Sequence, residues 1–326
     1  MFEKIKEKSL NGDFLSVEEC QFILNINNQS DFDKLLEITY FIRKKYKGDK
    51  VSVQILTNAK SGNCSQDCKY CAQSCISKAN IEKYPLISYD KLLNNAKIGQ
   101  DKNIARHCIG LSGIQFNDKQ IDEFSSYIRN LKKEINTDIC CSIGFLTEEQ
   151  AKKLKEAGVN RINHNLNTSR NNYKNICTTH TYQQRIDNIK MLQKIGFEMC
   201  CGGIIGLGES DQDIIDMLFD IKQINPKSVP INFLIPISGT PLEKQNLEKL
   251  TPEYCIKILC LARLLNPQVD LRCAAGREIH IKDKQNIMFK AVNSIFASGY
   301  LTANGQNIDD TIKLIEDSGF KCEIEG

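Results

Sequence analysis

The chain has 326 residues, enough for two average domains or for one large α/β barrel. Hydrophobic residues make up 41% and charged residues 25%, with a formal net charge of +3. That balance describes a globular protein with ample core and argues against a nucleic-acid partner, which calls for a concentrated basic face. No apolar run approaches the roughly 18 residues that span a membrane. The charged start MFEKIKEKSLNGDF also lacks an apolar signal core. A cytoplasmic protein with no membrane partner is therefore expected, and in that reducing compartment the 15 cysteines are not expected to form a disulfide framework.

Residues 1–48 read as a helical N-terminal extension. SVEECQFILNI and DFDKLLEITYFIRKKY repeat apolar residues at three-to-four spacing and open on Ser16 and Asp31 as candidate caps. From residue 49 to 326 the rhythm changes. Short β-rich runs recur at 51–56, 105–110, 138–144, 161–166, 197–204, 228–235, 269–274 and 293–297. Helical segments lie between them, among them IDEFSSYIRNLKKE, TEEQAKKLKEAG, TYQQRIDNIKMLQKIG and TPEYCIKILCLARLL, with Gly158 and Gly196 as C-terminal stops. Eight strands alternating with helices predict a parallel (β/α)8 TIM-type barrel followed by a C-terminal tail, with an open doubly wound sheet as the competitor. In a barrel, chemistry belongs at the C-terminal ends of the strands.

The loop after the first predicted strand reads SGNCSQDCKYCAQSC and sets Cys64, Cys68 and Cys71 at the spacing C-x3-C-x2-C. Structural zinc sites pair one C-x2-C with a second such pair, and none is evident here. Thiolates on a tight loop also hold iron–sulfur clusters. Three cysteines on a cubane leave one iron open to a substrate or cofactor; Cys75 is the alternative fourth ligand. Cys20, Cys177, Cys255, Cys260 and Cys322 read as small buried hydrophobes.

The C-x3-C-x-Tyr-C loop resembles that of the radical S-adenosylmethionine enzymes. NCSQDCKYCAQS, NHNLNTS, TTHTYQQRI, GGIIGLGES, VPINFLIPISGTPL and AAGRE, in this order, resemble the biotin synthase family over roughly residues 50–305. The resemblance implies that a [4Fe-4S] cluster on Cys64, Cys68 and Cys71 chelates S-adenosylmethionine. One electron, from a flavodoxin or ferredoxin, then releases a deoxyadenosyl radical that takes hydrogen atoms from dethiobiotin. It further implies an auxiliary cluster as sulfur donor, [2Fe-2S] in the family, on the positions matching Cys108, Cys140, Cys200 and Arg272, and a homodimer. These four fall in separate predicted strands, so they can meet only inside a closed barrel.

Cys141, Cys201 and Cys273 each follow one of those positions. Strand alternation turns them toward the helices; a larger auxiliary cluster that uses them is the competing reading. The resemblance also places Tyr70, Ile204 and Leu207 beside the adenine and Asn165 and Asn167 on the ribose. For the substrate it implies Asn165 and Asn232 at the ureido ring and Thr302 at the carboxylate. Two positions depart from the family pattern: Asn167 stands where many members carry aspartate, which removes a charge-assisted hydrogen bond, and Ala303 replaces a threonine. GGIIGLGES lacks the Lys-Ser/Thr ending of a phosphate loop and the dinucleotide spacing. His107 and His164 read as packed structural residues.

Three functions compete on these residues. The first is sulfur insertion into dethiobiotin. The second is a sister radical enzyme on the same barrel, such as a hydrogenase-cluster maturase or an amino-acid mutase, which generally lacks the full Cys108, Cys140, Cys200 and Arg272 set. The third, a non-catalytic iron–sulfur protein, leaves the asparagines and the glycine-rich loop without a purpose.

Overall fold

The computed structural model describes residues 1–102, 104 and 106–323. Three helices open the chain: α1 (Phe2–Asn11), α2 (Val17–Leu24) and α3 (Gln29–Lys47). Ser16 caps α2 in a reciprocal box with Glu19. The cap of α3 is Asn28 rather than the expected Asp31, whose backbone N–H donates to the Asn28 side chain. This extension shares its core with the rest of the chain: Ile5, Leu15, Cys20 and Leu35 are buried in the same apolar cluster as the strands.

The strands are β1 (Lys50–Lys60), β2 (Arg106–Leu111), β3 (Asp138–Ser142), β4 (Arg161–Asn163), β5 (Glu198–Cys200), β6 (Gly203–Ile205), β7 (Ser228–Phe233), β8 (Asp270–Cys273), β9 (Ser294–Ala297) and β10 (Lys321–Glu323). All of their pairings are parallel, and β1 pairs with both β2 and β9, so the sheet closes. That closure rules out the open doubly wound alternative. The chain is a (β/α)8 TIM-type barrel whose fifth strand is divided into β5 and β6, both of which pair with β7.

Gly202 sits at the division. A Cβ there would lie 1.9 Å from the Pro230 carbonyl oxygen, so only glycine lets the two strands approach. Ala105, the first residue of one predicted strand, lies outside the described residues, and β10, alongside β1, was not anticipated. The principal barrel helices are α4 (Tyr89–Asp101), α5 (Asp118–Glu134), α6 (Glu148–Glu156), α7 (Tyr173–Ile176), α8 (Tyr182–Ile195), α9 (Asp211–Ile224) and α10 (Pro252–Leu265). Asn117, Thr147, Thr181, Ser210 and Thr251 cap five of them, each worth about 1 kcal/mol.

Charged residues begin seven of the ten described strands, and ion pairs that involve them close the lower end of the barrel. Arg106 pairs with Asp138 at 2.9 Å, Arg161 with Glu198 at 2.7 Å, and Lys47 with Asp270 at 2.8 Å. These ion pairs occupy the lower end, and the opposite end carries the cysteine loop. Among the described residues no helix is long and apolar enough to cross a membrane.

Candidate active site

Strand alternation divides the barrel cysteines into two sets. Cys108, Cys140 and Cys200 form an inner cluster flanked by Leu56 and Phe296. Cys141, Cys201 and Cys273 belong to the main core between sheet and helices. Register brings the inner set together: Cys108 is the direct neighbour of Cys140, and Asn163 that of Cys200. The hydrogen bond between Cys140 and Cys108 lowers the Cys108 thiol and pushes Cys140 up to about 12. Its own bond to Cys140, with burial, holds Cys200 well above an ordinary thiol.

Arg272 is buried beside these sulfurs. Its Nε donates to Ser294 Oγ at 3.1 Å and its Nη2 to Ser228 Oγ at 3.3 Å, while Nη1 lies 3.8 Å from Cys200 Sγ. Among the described residues no carboxylate pairs with it. A buried cation needs a counter-charge, and the inner thiols, once ionised, are the groups in place to supply one.

The cysteine loop starts at Ser61, directly after β1. Internal hydrogen bonds shape it: Cys64 N–H to Gln73 O at 3.2 Å, Cys71 N–H to Cys68 O at 3.1 Å, and Gly62 N–H to Gln73 Oε1 at 2.9 Å. Asp67 fastens the loop to residues 177–179 by accepting from the backbone N–H groups of Thr178 and Thr179 and from both hydroxyls. Burial pushes Cys71 up to about 11. Cys75 is exposed; its backbone N–H closes on Gln66 O at 2.9 Å.

A cavity of about 370 Å³ opens at the barrel mouth, and Cys64, Cys68, Cys71, Cys108, Cys140, Cys200 and Arg272 all line it. Tyr70, Asn165, Asn167, Ile204, Asn232 and Thr302 reach the same wall. Leu207 does not; it packs with Ile176, Leu234, Tyr70 and Ile204 in an apolar patch beside it. Cys64, Cys68 and Cys71 are not within 4.8 Å of one another, as one zinc ion would require; among the described residues the set that close is Cys68, Cys177 and His180.

β4 ends at Asn163, so Asn165 and Asn167 do not alternate on a strand as expected. Asn167 takes a left-handed backbone with φ 70°, which asparagine tolerates better than most residues. Asn165 Oδ1 accepts from Gly202 N–H at 3.0 Å, which leaves its Nδ2 group to offer a ligand. Asn232 stitches neighbouring backbone, donating to Gly203 O at 3.0 Å and accepting from Ala275 N–H at 3.1 Å. One N–H and one lone pair remain free for a ligand. His107 is buried and bonded to Thr57 Oγ1 at 2.8 Å. His164 is buried edge-on to Phe145 and also touches the cavity wall.

Several residues escaped the sequence reading. Asn163 Nδ2 lies 3.2 Å from Cys200 Sγ, and two-residue alternation with Arg161 would have found it. Arg185 lines the cavity, donating to Asn165 O at 3.1 Å and to His180 Nε2 at 2.9 Å. A cation in the first turn of a helix opposes the macrodipole, and that was the available signal. Cys177 is not merely a small core residue: its sulfur is 3.8 Å from Cys68 Sγ, 3.2 Å from His180 Nδ1 and 3.1 Å from Asp67 Oδ1. The bond from Cys68 holds the Cys177 thiol low and Cys68 correspondingly high.

A closed parallel barrel with three unpaired loop thiols at its mouth defines a radical S-adenosylmethionine enzyme, and residues 58–221 match the radical SAM superfamily model. Residues 230–321 match the Biotin and Thiamin Synthesis associated domain. Biotin synthase from Bacillus subtilis (strain 168) is 40% identical over 320 residues, covering 98% of this chain and 95% of the relative. Biotin synthase from Lysinibacillus sphaericus is 39% identical over 321 residues, covering 98% and 96%. The chain belongs to the biotin synthase family. Methylornithine synthase shares its fold with a TM-score of 0.84 at 18% identity, covering 98% of this chain and 97% of that one. The FeFe-hydrogenase maturase from Carboxydothermus hydrogenoformans does so at 0.84 and 15%, covering 100% and 80%. Membership of the superfamily implies a [4Fe-4S] cluster with S-adenosylmethionine, and three thiols on one loop, all lining the cavity, are the donor set that such a group takes.

Proposed function

We propose that the chain inserts sulfur into dethiobiotin to form biotin, by radical chemistry begun at the loop and completed inside the barrel. The observation that carries this reading is that two separate thiol groups and a buried arginine, without a carboxylate partner among the described residues, line one cavity. Cys64, Cys68 and Cys71 hold the [4Fe-4S] cluster, while Cys108, Cys140, Cys200 and Arg272 hold the auxiliary one. The outward set of Cys141, Cys201 and Cys273 favours a [2Fe-2S] auxiliary cluster with four protein ligands over a larger one. When bound, these groups supply a primary carbon radical from S-adenosylmethionine and the sulfur atom that the product gains.

The chain's own residues bind, orient and exclude. Tyr70 and Ile204, backed by Leu207, offer an apolar face to the adenine. Asn165 and Asn167 would offer amides to the ribose, and Arg185, on the cavity wall, would offer a guanidinium to the cofactor's carboxylate. Asn165 and Asn232 present donors and an acceptor to the ureido ring, and Thr302 a hydroxyl to the substrate carboxylate. The barrel wall keeps water from a reactive carbon centre. A flavodoxin or ferredoxin donor and a homodimer complete the reading, on family likeness alone.

The test is an anaerobic assay of the reduced holoenzyme with dethiobiotin and S-adenosylmethionine. Biotin and deoxyadenosine are expected from the wild type, and deoxyadenosine alone from Cys140→Ala. Biotin made by Cys140→Ala would sink the sulfur-donor assignment.

A further inference from the structure

Cys68, Cys177 and His180 place three ligand atoms within 4.8 Å of one another, and the proposed chemistry uses only the first of them. A second metal centre is the obvious reading, and the surroundings oppose it. Arg185 Nη2 lies 2.9 Å from His180 Nε2 and can only donate, so Nε2 accepts and Nδ1 carries the proton. That N–H faces Gln66 Oε1 at 2.7 Å and Cys177 Sγ at 3.2 Å. With Nδ1 protonated and Nε2 already accepting from Arg185, His180 has no lone pair left for a metal ion, and the two sulfurs remain as a pair.

We propose that Cys68 and Cys177 form a dithiol pair that closes to an intramolecular disulfide when the loop holds no cluster. Cys177 is the resolving sulfur. Little motion is needed, since the sulfurs must close from 3.8 Å to about 2 Å. Their backbones already run side by side, held by Lys69 N–H on Ile176 O at 3.0 Å and by Asp67 on Thr178 and Thr179. Both sulfurs are buried, but Cys68 lines the cavity and Cys177 does not. An oxidant entering the cavity therefore meets Cys68 first.

The oxidant is a low-molecular-weight disulfide. Cys68 yields its proton to the Cys177 sulfur and attacks the reagent's S–S bond, forming a mixed disulfide and expelling one thiolate, which takes that proton up. Cys177 then attacks the Cys68 sulfur, the bond to the reagent half breaks, and a second thiolate departs. The two protein sulfurs lose two electrons, the reagent gains them, and the proton they shared ends on the first released thiolate. A dithiol reductant reverses the change. The consequence for the enzyme rests on the reading of Cys68 as a cluster ligand. The closed pair withholds one of three ligands, shields it from irreversible oxidation and returns it on reduction.

The experiment uses the full-length, cluster-free chain, treated anaerobically with hydroxyethyl disulfide, alkylated and mapped by peptide mass spectrometry. The expected product joins Cys68 to Cys177 with no reagent left on Cys68. Cys177→Ser, and equally Cys177→Ala, keeps the reagent adduct on Cys68. A wild-type chain that joins Cys68 to Cys64 or Cys71, or that keeps the adduct with Cys177 free, overturns the pair. Iron and sulfide uptake by the oxidised chain, before and after dithiol treatment, is read separately. Uptake blocked until reduction supports the withheld ligand. Full [4Fe-4S] uptake by the crosslinked chain leaves the pair standing and overturns Cys68 as ligand.

Discussion

The two thiol groups on this cavity wall are built by opposite means. Cys64, Cys68 and Cys71 occupy one loop shaped by its own backbone hydrogen bonds. Cys108, Cys140 and Cys200 come from three strands, and only the parallel register of a closed barrel brings them together. Within the strands, Cys140 and Arg272 each share a strand with a thiol that belongs to the core, Cys141 and Cys273. The difference separates function from stability within single dipeptides such as Cys140–Cys141.

Substitutions break the comparison at its strongest point first. Cys68→Ala removes a loop ligand, and deoxyadenosine release should fall to background. Cys140→Ala should keep that cleavage and lose biotin formation. Its neighbour gives the reciprocal result: Cys141→Ala should still make biotin, with a loss of roughly 1–2 kcal/mol in denaturant unfolding. Arg185→Met removes a charge-assisted contact at the cavity wall, so the KM for S-adenosylmethionine should rise about tenfold or more.

The smallest effect on activity is expected outside both groups. Burial raises the Asp213 carboxyl, but hydrogen bonds from Ser169 and Ser210 outweigh it and leave it lowered to about 2 from 3.8. A depressed carboxylate stabilises the fold above its unfolded value and loses that contribution as pH falls through the folded one. Asp213→Asn should therefore flatten the stability curve between about pH 4 and 2, a change on the order of 2 kcal/mol, and leave biotin formation at neutral pH intact.

The loop site was legible because its ligands lie within one short stretch, where spacing alone carries the chemistry. The strand site was legible only through alternation: Cys140 and Cys141 cannot share a face of β3, and the fold puts one in each cluster. Alternation misleads beyond the end of a strand. β4 stops at Asn163, so Asn165 and Asn167 reach the cavity from a turn, one of them through a left-handed backbone that alternation cannot foresee. Cys177 and Arg185 were illegible for another reason. Their partners, Cys68 and the cavity wall, are distant in sequence, and only the packing of the 177–180 turn on the cysteine loop joins them.

Mössbauer spectroscopy of the iron-loaded protein, wild type beside Cys140→Ala, tests the central claim of two independent thiol sites most directly. The account predicts separate [4Fe-4S] and [2Fe-2S] signals in the wild type, with the second alone missing from the variant. A single signal in the wild type, or the loss of both together in Cys140→Ala, would contradict it.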